Sequence, residues 1–75
     1  MNIESIIERT RATLGRNVKN IRKREGLSTQ ALARTCGIPR DEVWAIERGE
    51  RDVPIDTLAV LAAHLGVSLA ELFET

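Results

Sequence analysis

The chain has 75 residues, with 11 Lys and Arg balanced by 11 Asp and Glu, so its formal net charge is zero. That length fits one domain with a small core, of the size that buries only about 60% of the unfolded chain's surface. A lone cysteine, Cys36, excludes an internal disulfide and a multi-cysteine zinc site. The longest apolar run, Leu58 to Ala63, is far too short to cross a bilayer.

Aliphatic side chains dominate the apolar set, and Trp44 and Phe73 are the only aromatics. With helical spacing and little β-branched alternation, an all-α fold is expected. From Ile3 to Arg24 the residues Ile3, Ile6, Ile7, Leu14, Val18 and Ile21 recur at intervals of three, four and seven, the stripe of a helix. Gly15 interrupts it, so the segment reads either as one long helix or as two pieces meeting near Leu14 and Gly15. Gly26 suits the left-handed position that ends it. Ser28 caps a second helix, about Thr29 to Thr35, with Leu32 and Ala33 turned inward.

Gly37 makes the next turn, and Pro39 precedes a third helix, about Arg40 to Arg48, with Val43 and Ile46 inward. Asp41 and Glu42 fall in its first turn, where the helix dipole favours acids. Gly49 closes it. After a polar loop, Pro54 opens a fourth helix, about Ile55 to Leu65, with an apolar stripe of Ile55, Leu58, Leu61, Ala62 and Leu65. Gly66 stops it. Ser68-Leu-Ala-Glu71 has the form of a capping box and starts a short fifth helix carrying Leu69, Leu72 and Phe73.

Charge is unevenly placed. Residues 9 to 24 hold Arg9, Arg11, Arg16, Lys19, Arg22, Lys23 and Arg24 with no acid, whereas from Asp52 onward there are only acids. Such a chain can present one positive face to a polyanion; a solvated helix surface is the alternative. Cys36 stands where an apolar residue is expected and reads as a small buried hydrophobe, with a redox-sensing thiol as the alternative. His64 has no Cys or carboxylate at ligand spacing, so no metal or other cofactor is expected. No nucleophile–base pair or phosphate-cradling loop supports an enzyme.

From Leu14 to Phe73 the order and spacing of several pieces resemble the lambda-repressor and Cro-type helix-turn-helix domains, the Xre group. The pieces are Ile21-Arg-Lys-Arg-Glu-Gly-Leu-Ser28, Leu32-Ala33, Cys36-Gly-Ile38, Ile46-Glu-Arg-Gly49 and Leu58-Ala-Val-Leu-Ala-Ala-His-Leu-Gly-Val-Ser68. Glu47-Arg-Gly-Glu-Arg-Asp-Val53 also resembles the controller proteins of restriction–modification systems. The resemblance implies one compact five-helix domain, with the helix-turn-helix at 28–48 and an N-terminal helical extension at 1–13.

It also implies roles. Thr29 sits where the family places a polar residue that binds a phosphate and braces a base-reading side chain, and Gln30, one residue on, could share that role. Arg40, Asp41 and Ala45 occupy base-reading positions, Trp44 shares their outer face, and Arg48 and Arg51 fall where the family touches phosphates. Arg22 and Glu47 match a largely buried salt bridge between the first and third helices.

Arg40 is the leading candidate for readout, since a guanidinium can hold guanine O6 and N7 with two hydrogen bonds. Asp41 and Glu42 face the wrong way electrostatically. They serve the helix dipole, accept from cytosine N4, or orient Arg40. Trp44 is spaced to stack between Arg40 and Arg48, to press on a sugar or thymine methyl, or to pack partly buried.

The expected function is a cytoplasmic, sequence-specific transcriptional regulator that binds double-stranded DNA as a homodimer on a pseudo-palindromic operator. Its dimer surface is expected from Leu69, Leu72 and Phe73, with the Ile3, Ile6, Ile7 stripe either covering the core or joining the dimer. The alternative is an antitoxin or protein-interaction module on the same scaffold, which would suit Asp41, Glu42 and the zero net charge.

Overall fold

The computed structural model describes residues 2–75 and contains five helices: α1 (Ile3–Arg24), α2 (Thr29–Cys36), α3 (Arg40–Glu47), α4 (Ile55–Leu65) and α5 (Leu69–Leu72). None of them is long and apolar enough to cross a membrane. Asn2, Ser28 and Ser68 cap α1, α2 and α5 by accepting the backbone N–H of Ser5, Ala31 and Glu71 at 2.7, 3.0 and 3.2 Å. Glu71 completes the box at Ser68 by accepting that residue's N–H at 3.0 Å. Gly37 adopts φ 70°, and Ile38 N–H bonds back to Ala33 O at 3.0 Å. The left-handed turn thus closes α2 and directs Ile38 against the core.

The core is built from every helix: Leu14, Val18 and Ile21 of α1, Leu32 and Ala33 of α2, Val43 and Ile46 of α3, Leu61, Ala62 and Leu65 of α4, and Leu72 of α5. One expectation changes, at Ile55, and two open alternatives are decided, at Gly15 and in the Ile3, Ile6, Ile7 stripe. α1 runs unbroken through Gly15. Ile55 leaves the α4 stripe and is 76% exposed, because it lies in the first turn, beyond the reach of the packed helices. The Ile3, Ile6, Ile7 stripe does not cover the domain's own core, since all three side chains are exposed.

Gly15 explains how α1 and α3 pack. A Cβ built there would fall against the carbonyl oxygen of Ile46 and 2.6 Å from that of Glu47, so only a glycine lets the end of α3 rest on α1. One turn earlier, Gly49 sits on the α1 backbone, its Cβ position 3.3 Å from Ala12 Cα. On the opposite side, Asn17 of α1 donates to the carbonyls of Leu72 and Glu74 at 2.9 and 2.8 Å, tying down the C-terminal end of α5.

Candidate nucleic-acid interface

The third helix is oriented by a buried ion pair. Arg22 Nε donates to Glu47 Oε2 at 2.6 Å and Nη2 to Oε1 at 3.1 Å, while Nη1 donates to Leu27 O at 2.8 Å. Both side chains are almost wholly enclosed. The pair therefore links α1, the loop before α2, and the end of α3 through charge-assisted hydrogen bonds. α3 has only eight residues, far below the roughly 12–15 needed for a helix to persist alone, so its direction comes from these contacts.

The exposed side of α3 begins with Arg40. Its Cζ lies 4.8 Å from the centroid of the Trp44 ring, one turn on. Trp44 Nε1 in turn donates to Thr29 Oγ1 at 3.2 Å, which joins the exposed face of α3 to the first residue of α2. The stack is one-sided: Arg48 turns away, with its Nε 3.2 Å from Glu50. Arg51 pairs with Glu42 at 3.4 Å, so Glu42 orients Arg51 and not Arg40. Asp41 is exposed, with no salt bridge among the described residues. Gln30 is exposed beside Thr29.

Beside the stack lies a recess of about 370 Å³, lined by Lys19, Arg22 and Lys23 of α1, Thr29 of α2, and Trp44, Glu47 and Arg48 around α3. Lys19 and Lys23 stand in the sequence only as part of a basic run. Their i, i+4 spacing astride Arg22 was the available signal that they share a face with the buried pair. Two other members of the run go elsewhere: Arg11 is held by Asp52, and Arg9 lines a groove near Phe73 at the other end of α1.

Two positions do not fit their expected roles. Ala45 is 5% exposed and packs inward, because it sits on the buried side of α3 with Val43 and Ile46, so it has no surface to offer a base. Leu72 is wholly buried in the protomer's own core and is unavailable to a partner; of the α5 trio only Leu69 and Phe73 reach the surface. Cys36 is half-buried, and burial pushes its thiol pKa up, which lowers the fraction of the reactive thiolate.

Comparison with known proteins gives the same frame. Residues 13–74 match the model of a helix-turn-helix domain family. The chain is 37% identical over 62 residues to the Neisseria hypothetical transcription factor of Neisseria meningitidis, covering 83% of this chain and 58% of that protein. It thus spans less than two thirds of that relative. It overlays the crystal structure of the restriction–modification controller protein C.AhdI from Aeromonas hydrophila with a TM-score of 0.81 and 33% identity, covering 84% of this chain and 96% of that one. It is also similar to SinR, the master regulator for biofilm formation, solved in complex with DNA: TM-score 0.75, 32% identity, 81% of this chain and 98% of that one. The matched segment contains the Arg22–Glu47 clamp, the Gly37 turn and the exposed face of α3, and the chain belongs to the helix-turn-helix family of DNA-binding transcription regulators.

Proposed function

We propose that the protein is a cytoplasmic, sequence-specific transcription regulator that binds a pseudo-palindromic operator as a homodimer. The observation that carries this reading is the Arg40–Trp44–Thr29 chain beside the Lys19, Lys23 and Arg48 recess. α3 enters the major groove, and Arg40 presents its forked donors to guanine. Asp41, exposed in the first turn of α3, accepts from a cytosine N4 amine. Lys19, Lys23, Arg48 and Arg51 contact phosphates, joined by Thr29 and Gln30 at the start of α2, where helix N–H groups favour an anion. The exposed pairs of Arg48 and Arg51 with Glu50 and Glu42 are worth only about 0–1 kcal/mol each, so a phosphate can replace the carboxylate.

A two-fold dimer would set two α3 helices about 34 Å apart, one turn of the duplex. Leu69 and Phe73, with Ile6 and Ile7 adjoining Phe73 along one groove, supply the apolar surface for it. Selection of bound sequences from a random duplex pool tests the reading. Enrichment of an inverted repeat is expected, with affinity falling steeply as salt rises because bound phosphates release counterions. A pool that enriches no motif refutes it. The rival reading, an antitoxin or protein-interaction module, draws on the same carboxylates: Glu42 and Glu50 neutralise two of the three arginines around α3, and Trp44 is left 40% exposed. Under that reading no duplex is retained at any salt concentration.

A further inference from the structure

Trp44 has one polar atom, Nε1, and its proton is given to Thr29. The exposed part of the ring is therefore hydrocarbon. Arg40 lies over the same ring, and among the described residues no carboxylate is within salt-bridge reach of it. No side-chain hydrogen bond among the described residues uses the Arg40 guanidinium either, so its donor fork stays available while the ring restrains it. The face of α3 thus carries a forked cation and a flat apolar surface in contact, their centres 4.8 Å apart.

The major groove offers those two chemistries on neighbouring bases. Guanine presents O6 and N7 as acceptors, and thymine presents its C5 methyl group. Successive bases are separated by roughly 3.4 Å along the strand, comparable with the offset between guanidinium and ring. We propose that Arg40 and Trp44 together read a 5-methylpyrimidine–guanine step. Arg40 holds the guanine, the indole packs on the neighbouring methyl group, and Thr29 is the positioning residue that fixes the ring. Because indole carbon makes no hydrogen bond to the exocyclic group at C4, Trp44 responds to the methyl alone, and 5-methylcytosine satisfies it as thymine does.

This inference rests on the DNA-binding reading above, and its test separates the two. The probe is the duplex enriched from the random pool, with each thymine in turn replaced by deoxyuridine, which removes only the methyl group. One position per half-site, next to a guanine, is expected to weaken binding about three- to fivefold, the scale of one buried methyl. At that position 5-methylcytosine should bind more tightly than cytosine by a similar factor. In Trp44→Ala the deoxyuridine effect disappears. In Thr29→Val, which keeps the volume and loses the acceptor, it shrinks while the melting temperature stays unchanged. A duplex that binds with clear sequence preference but gives a flat deoxyuridine scan overturns this inference alone. Absence of binding to any duplex overturns both readings.

Discussion

At Gly15 a hydrogen in place of a methyl group lets two helices touch through their backbones. Alanine is the better helix former by about 1 kcal/mol, so on an isolated α1 the substitution would stabilise. In the folded domain its Cβ meets the carbonyls of Ile46 and Glu47, which are backbone atoms and cannot rotate aside. Gly15→Ala is therefore expected to destabilise by about 1–3 kcal/mol net, visible as a lower melting temperature. A neutral or stabilising result would mean that α3 does not rest on α1 as described. Glu47 makes a similar point about charge. Removing it strands Arg22 in an enclosed site, a loss of about 3–5 kcal/mol. The whole stability of a domain this size is on the order of 4–11 kcal/mol, so Glu47→Ala should remove a large share of it and unfold or strongly destabilise the protein, seen by circular dichroism as a melting temperature lower by more than about 10 °C.

Among the elements, α2 and α3 are each eight residues long and depend on their ends. Ser28 satisfies one of the orphan N–H groups at the start of α2, and Thr29, the next residue, anchors Trp44. Ser28→Ala is expected to cost about 1 kcal/mol of stability in thermal melts. It should also loosen the Trp44 ring, measurable as lower steady-state anisotropy of the single tryptophan. An unchanged anisotropy would show that the ring is held by Arg40 alone. α3 differs in having Pro39 before it and no side-chain cap. Its first turn is supported by Asp41 and Glu42 through the helix dipole. The two acids thus have a structural purpose in α3, and Glu42 additionally engages Arg51.

For the molecule as a whole, α1 is about 33 Å long at 1.5 Å per residue, close to the 37 Å length of the domain. Its first turns carry Ile3, Ile6 and Ile7 on the surface, and Ile6 and Phe73 border the same two grooves. If this patch joins two copies, the full chain sediments as a dimer at micromolar concentration. Phe73→Glu and Ile6→Glu should then each give monomers with unchanged helix content. A monomer in the wild type, or dimers in both variants, would remove the patch from the interface.

The element boundaries were legible in the sequence nearly to the residue, because they follow local rules. Caps at Ser28 and Ser68 and left-handed glycines at 37 and 66 act within a few positions of the chain. The helix-turn-helix frame was legible for the same reason, since the spacing of Leu32, Gly37, Val43 and Ile46 is set by helical periodicity. What periodicity could not rank was depth. Ile55 and Leu72 both look like stripe positions, yet one is exposed and the other fully buried, because burial depends on which helix arrives from elsewhere in the chain. Ala45 was assigned to the reading face by resemblance, and it turns inward with Val43 and Ile46. Likewise the basic run of α1 divides among separate surfaces that only the wrapped fold distinguishes. The sequence by itself determined five helices, their ends and the kind of domain they make. The tertiary structure alone decided that Gly15 is a contact and not a break. It alone stacked Arg40 on Trp44 and hydrogen-bonded Trp44 to Thr29. The Gly15 contact and the Trp44–Thr29 bond join atoms far apart in the chain, about which short-range preferences carry no information, whereas the stack was one of several options its i, i+4 spacing allowed, and the fold chose among them.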